Sequence, residues 1–262
     1  MKFEHKVSKG SSYNQIYIPR EMEQYFEAGD LVEVRLIKKV SKLYYNHLKE
    51  ADLSDFKRKL IEGIFNNLQN IKGIEQIFVF GSFLTNSVGY NDIDIMILTE
   101  KENQEERVYN GLIAEFNLKF HIISVPKNKL DELLNICPLT RSMLYYFVSN
   151  KHFEIARDTR VDENHIRFLL MMPEDLLKVG LDDGKVYYDS LRKLVTIENF
   201  LKNKEIAPNL IDLGLEKLMR KDKLMFIKED NVLRGAIRKE IEGIIREKLD
   251  LIYKYLKNVK KR

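Results

Sequence analysis

Phe80-Gly81-Ser82-Phe83-Leu84-Thr85-Asn86-Ser87-Val88-Gly89-Tyr90-Asn91-Asp92-Ile93-Asp94-Ile95 decides the reading of this chain. An apolar strand ends in Gly-Ser, a short polar segment follows, and a second strand opens with two aspartates one residue apart. Side chains alternate across a strand, so Asp92 and Asp94 are expected on one side, ~6.5 Å apart along the backbone, with Ile93 and Ile95 anchoring the other side in a core. Two carboxylates are thereby aimed at one spot.

Two like charges side by side are costly unless a cation neutralises them. A hard divalent ion with oxygen ligands, Mg²⁺ or Mn²⁺, suits such a pair, and an ion held this way binds phosphates. Gly81 carries no side chain to block the approach of a triphosphate. Ser82 offers a hydroxyl and a backbone N–H to a phosphate oxygen, the more so where Phe83–Thr85 opens a helix. Asp92 and Asp94 are therefore the expected metal ligands, and Gly81 and Ser82 the expected nucleotide-binding pair.

Outward from this passage, IEQIFVF before it and DIDIMIL within it read as strands, QEERVYNGLIAEF as a helix and LKFHIISV as a further strand. This predicts an α+β fold with a mixed sheet. Residues 41–72 are expected to be helical, with Leu60, Ile61, Ile64, Phe65 and Leu68 at helical spacing and Asp52 or Ser54 capping the start. After Pro126 the pattern turns mainly helical. From Asn231 onward Leu233, Ile237, Ile241, Ile244, Ile245, Ile252, Leu256 and Val259 recur at a helical period, as in a long amphipathic helix. The expected division is a small β unit at 1–40, a core at 41–135 and a helical region at 136–262.

The 262 residues are 44% hydrophobic and 32% charged, which excludes a disordered or fibrous chain. No apolar run approaches the ~20 residues of a bilayer span, and the charged start MKFEHKVSKG does not read as a signal peptide. Cys137 is the single cysteine, so no internal disulfide forms, and no Cys/His cluster has zinc spacing. The cytoplasm is the expected location. The formal net charge is +4, with a basic excess from Lys217 to Arg262; acidic residues are interleaved there, as on a solvated helix face.

The strand, Gly81-Ser82, nine residues and Asp92-Ile93-Asp94-Ile95 resemble the signature of the DNA polymerase β-like nucleotidyltransferase superfamily, over roughly residues 55–125. Either half alone is common; the spaced pair, each half on its own strand, is not. The resemblance implies Mg²⁺-dependent transfer of a nucleoside monophosphate from a triphosphate, ATP first among them, to an acceptor that no motif identifies. It also implies a third carboxylate on the next strand, where this sequence aligns His121. His121 is accordingly expected to take the acceptor's proton, or else to be a structural histidine at the sheet end. Loss of the third acid leaves a rival expectation: a DNA-binding regulator or nucleotide sensor with a degenerate transferase core.

Residues 1–40 read as strand-like FEHKVS, a turn, strand QIYIP, the short helix REMEQYFEA and the alternating strand LVEVRLI. Ile16, Ile18 and Pro19, then Gly29-Asp30 followed by Val32, Glu33 and Val34, resemble the AbrB-like swapped-hairpin family, in which two copies interleave into one DNA-binding barrel. The resemblance implies a homodimer and DNA contacts by Lys6, Lys9 and Arg20. Against DNA, the seven basic residues of the segment face six acids, leaving +1.

Two further patterns stand apart. Arg160-x4-His165 resembles the arginine–histidine spacing of the HEPN nucleases, though such a pair arises easily by chance. Tyr145-Tyr146-Phe147 and Tyr187-Tyr188 either stack on a base or acceptor or pack a helical core.

Overall fold

The computed structural model describes residues 3–35, 41–85, 90–100, 104–156, 158–229 and 231–259. It divides into two compact units, Met1–Lys39 and Val40–Arg262.

In the first unit β1 (Ser8–Lys9) and β2 (Asn14–Gln15) form an antiparallel ribbon, and a 3₁₀ turn spans Arg20–Tyr25 behind Pro19. Both strands are shorter than FEHKVS and QIYIP suggest, and the expected helix is this single 3₁₀ stretch. The expected third strand is absent over 31–35; its last two residues, Leu36 and Ile37, lie outside the described residues. Burial explains the difference, since none of residues 3–35 is buried and Leu31 is fully exposed. A ribbon this small has no apolar face to hold a third strand in place.

The second unit opens with β3 (Tyr44–Asn46) and a 3₁₀ turn, then α1 (Asp55–Leu68), whose Ser54 side chain accepts the Lys57 N–H. β4 (Ile74–Phe80), β5 (Ile93–Thr99), α2 (Glu105–Phe116) and β6 (Phe120–Pro126) follow. Next come α3 (Lys127–Ile136), α4 (Pro138–Met143) and β7 (Phe147–Ser149). The chain ends in α5 (Glu163–Val179), α6 (Gly184–Leu201), α7 (Pro208–Leu218), α8 (Lys221–Lys228) and α9 (Gly235–Val259).

Five strands form one mixed sheet in the order β3-β7-β4-β5-β6, with β5 and β6 parallel and the other pairs antiparallel. Its central strands are apolar on both faces because both are covered. Ile77, Val79, Ile93, Ile95, Ile97 and Ile122 pack with Ile61, Phe65 and Leu112 of α1 and α2. Phe78, Phe80, Met96, Leu98 and Phe147 pack with Leu130 and Leu134 of α3. The five α1 residues expected at helical spacing are the five that are buried. A separate core unites α5 to α9 around Tyr187, Leu191, Leu194, Ile241, Ile245 and Ile252. Two strands were not anticipated: Tyr44–Asn46 falls where helix was expected, and Phe147–Ser149 lies in the mainly helical stretch.

Pairing across the sheet sets up the site. Asn46 faces Phe147, Phe147 faces Phe80, Phe80 faces Asp94, and Asp94 faces His121. One residue from each strand thus lies in a continuous row at one end of the sheet, and directly opposed residues share a face. That face is the one covered by α3, and Asp94 and His121 sit where its apolar cover ends.

Candidate active site

Gly81 turns the chain out of β4 at φ +80°, a left-handed region that a residue with a side chain adopts only at a cost. A second constraint acts at the same position. A Cβ there would overlap Oδ2 of Asp94 and lie 2.9 Å from its Cγ. The carboxylate of Asp94 thus rests against the bare backbone of the Gly-Ser bend, which joins the two halves of the motif physically.

Beyond Gly81, Ser82–Leu84 is one 3₁₀ turn, and Thr85 is already extended. The helix expected from Phe83 is not formed there. The Thr85 hydroxyl and N–H both donate to the Ser82 carbonyl, at 2.8 and 3.1 Å, and close the turn locally. Phe83 and Leu84 are buried, while Ser82 is exposed. Asn86, Ser87, Val88 and Gly89 lie outside the described residues.

The two ends of this loop are gripped by Lys57, a residue that no motif singles out. From the first turn of α1 its Nζ donates to the Thr85 carbonyl at 2.6 Å and stands 5.3 and 5.4 Å from the rings of Phe83 and Tyr90. Those rings meet edge to face at 5.1 Å. One ammonium therefore ties the Gly81–Ser82 side of the loop to the Tyr90–Asp92 side through a carbonyl and two quadrupoles. Burial lowers its pKa from the ordinary lysine value.

Asp92 occupies the bend just before β5, and Asp94 is the second residue of that strand; both are half-buried. Ile93 and Ile95 are buried on the opposite face, as the alternation predicts. The pKa of Asp94 is raised, first by burial and further by the charge of Asp92, while the hydrogen bond from His121 opposes the rise.

His121 stands beside Asp94 on the parallel strand β6, and its Nδ1 donates to Asp94 Oδ1 at 2.9 Å. The His121 side chain is 58% exposed and that of Asp94 22%. With Nδ1 engaged by a carboxylate, the neutral imidazole presents an unprotonated Nε2 to solvent. Among the described residues no cluster of three Asp, Glu, His or Cys side chains could hold a metal ion by itself.

A family model described as "Polymerase beta, Nucleotidyltransferase" matches residues 61–138, from within α1 through β4, β5 and β6 to the start of α4. Over residues 61–138 the chain is similar to the DNA polymerase β-like nucleotidyltransferases. Comparison with curated proteins gives no match. The matched segment contains Gly81, Ser82, Asp92, Asp94 and His121, whereas Lys57 lies four residues ahead of it.

The other sequence-derived positions are elsewhere. Lys6, Lys9 and Arg20 are exposed in the first unit, Lys9 ending β1 and Arg20 opening the 3₁₀ turn. Arg160 borders a surface groove with Glu132, Asn135 and Asp158, and His165 lies in the first turn of α5, its N–H accepted by the Asp162 cap. Tyr187 is core, while Tyr145 and Tyr146 are half-buried at the sheet end that carries Asp94. Among the described residues no helix is long and apolar enough to cross a membrane.

Proposed function

We propose that this protein is a cytoplasmic, Mg²⁺- or Mn²⁺-dependent nucleotidyltransferase that moves a nucleoside monophosphate from a nucleoside triphosphate, ATP first among them, to an acceptor hydroxyl. The observation that supports this most is the packing of the Asp94 carboxylate against the Gly81 backbone, which puts the phosphate-binding bend and the acidic pair at one place.

The donor set fits the ion. Asp92 and Asp94 supply hard oxygens, and Mg²⁺ in phosphoryl-transfer sites takes one or two carboxylates, with substrate phosphates and waters completing its shell. A third protein ligand is not required. When bound, the ion neutralises triphosphate oxygens and the charge that develops on the attacking and leaving oxygens.

The remaining work falls to the chain. Gly81 lets the triphosphate approach the backbone, and the exposed Ser82 hydroxyl donates to a phosphate oxygen. Asp94 orients His121 through Nδ1, leaving Nε2 to take the proton of the acceptor hydroxyl. The acceptor oxygen then bonds to the α-phosphorus while the bond from the α-phosphorus to the bridging oxygen breaks, and pyrophosphate leaves. Incubation with α-labelled ATP and Mg²⁺ tests the proposal. Label on an acceptor with release of pyrophosphate supports it, and release of neither with protein, RNA and small-molecule hydroxyls contradicts it.

The N-terminal unit adds a homodimer and DNA contacts through Lys6, Lys9 and Arg20. Its exposed Val7, Tyr13, Ile16, Tyr17, Leu31, Val32 and Val34 support pairing with a second copy. A second reading, a DNA-binding regulator or nucleotide sensor with a degenerate core, is favoured by His121 standing in register where the superfamily pattern has a carboxylate. Salt-sensitive DNA binding that survives joint Asp92→Ala and Asp94→Ala substitution, together with metal-dependent ATP binding and no transfer, selects that second reading.

A further inference from the structure

The row of paired residues that ends at Asp94 continues in the other direction to a second group of side chains. Phe147 stands two strands from Asp94, and Asn46 three. At a strand spacing of ~4.8 Å these are roughly 10 and 14 Å away along the same sheet end. Just past them lie Tyr145, Tyr146 and His47. The rings of His47 and Tyr145 stack at 4.3 Å with an interplanar angle of 15°, and Tyr146 meets Tyr145 edge to face at 4.9 Å. This is a parallel stack with a perpendicular wall.

Core packing does not account for the group. His47 is exposed and the tyrosines are only half-buried. His47 holds φ +52°, unusual for a residue with a side chain, and such conformations gather at functional sites. Polar contacts fix the rings from outside the sheet. Asn46 Nδ2 donates to the Tyr145 carbonyl at 2.8 Å, Tyr145 donates its hydroxyl to Glu205, and Tyr146 donates to Asn209 Oδ1 at 3.2 Å. The Tyr145 phenol is pushed up to about 12, first by burial and then by Glu205, so it stays a donor. Glu205 and Asn209 come from the helical region, which Ser142 also ties down through the Ile206 carbonyl at 2.8 Å.

We propose that His47, Tyr145 and Tyr146 form a stacking ledge for a nucleobase, with Glu205 and Asn209 beside it to meet the base's polar edge. The inference rests on the transferase reading, because only a phosphate centred at Asp94 makes this distance meaningful. Aromatic rings already held in orientation lose little freedom when a further planar ring stacks on them. Two sources share this chemistry: the base of the incoming triphosphate and the base of a nucleic-acid acceptor.

Calorimetric titration of the full chain with three probes, each with Mg²⁺, tests the ledge: ATP, inorganic tripolyphosphate and a short single-stranded RNA. The variants are His47→Asn, which tolerates the left-handed backbone but lacks the ring, and Tyr146→Leu, with circular dichroism as a check on folding. In both, tripolyphosphate binding stays at the wild-type value. Affinity falls about tenfold for ATP if the ledge takes the incoming base, or for RNA if it takes the acceptor's. Wild-type affinity of both variants for both base-bearing probes overturns the ledge and leaves the transferase reading standing. Weakening of tripolyphosphate in step with the others also overturns it. A wild-type protein that binds none of the three overturns both.

Discussion

Asp94 and His121 are partners in register across the parallel β5–β6 pair, and Nδ1 of the histidine donates to Oδ1 of the carboxylate at 2.9 Å. The bond fixes one nitrogen of the ring, and the proposed proton transfer would fall to the other. It also spends part of the coordinating capacity of Asp94, so a metal held as proposed would share that carboxylate with the histidine.

Replacing His121 by alanine should therefore slow transfer by about 10²-fold or more while nucleotide affinity changes little. Single-turnover rates and equilibrium titration, run on the same preparation, separate the two quantities. Unchanged turnover would assign His121 a purely structural part at the sheet end.

Gly81→Ala introduces a Cβ into Asp94 at a backbone position of φ +80°. The conformational cost is about 1–3 kcal/mol, and the clash displaces the carboxylate. Chemical denaturation should show the loss of stability, and transfer should disappear even at temperatures where the variant is fully folded. Wild-type activity in Gly81→Ala would mean that the bend and Asp94 do not act together.

Asp94 also links stability to pH. Its raised pKa means that the folded state holds the proton more tightly than the unfolded chain does. That contribution is complete below the ordinary aspartate pKa and is lost as pH rises through the raised value, so ionised Asp94 costs stability at neutral pH. Asp94→Asn, which cannot ionise, should melt at a higher temperature than wild type at pH 7, with the gap closing towards pH 4. Mg²⁺ with ATP should narrow the gap at pH 7 by stabilising only the wild type. Identical melting curves at pH 7 would contradict the burial argument.

In the N-terminal unit Leu31 is fully exposed and Val34 is 66% exposed, with no described residue of the unit buried. Leu31→Asp together with Val34→Asp should convert a dimer into a monomer in sedimentation equilibrium. A monomeric wild type, or a dimer indifferent to both charges, would remove the pairing role.

The sequence disclosed the parts of the fold whose residues are committed locally. IEQIFVF and DIDIMIL each end in a four-residue apolar run, Ile77–Phe80 and Ile95–Leu98, and β4 covers the first stretch in full while β5 begins at Ile93 of the second. Gly81, Ser82, Asp92 and Asp94 were legible because two short motifs constrained each other. Three-residue strands leave no such trace: Tyr44–Asn46 is a strand only because it finds Phe147–Ser149, which in turn finds β4. The grip of Lys57 on Thr85 spans 28 residues of sequence and uses a backbone carbonyl, which any residue supplies. In the N-terminal segment alternation at Val32 and Val34 suggested a strand, yet alternation fixes a strand only where a face is buried.

In the proposed site Asp92 and Asp94 share one cation with a triphosphate seated on Gly81 and Ser82. A crystal grown with Mn²⁺ and a non-hydrolysable ATP analogue tests it most directly, through the anomalous signal of the metal. The expected result is a Mn²⁺ peak bonded to oxygens of both aspartates and of the triphosphate, with a phosphate oxygen at the Ser82 hydroxyl. A triphosphate bound elsewhere, or a metal that touches neither aspartate, would contradict it.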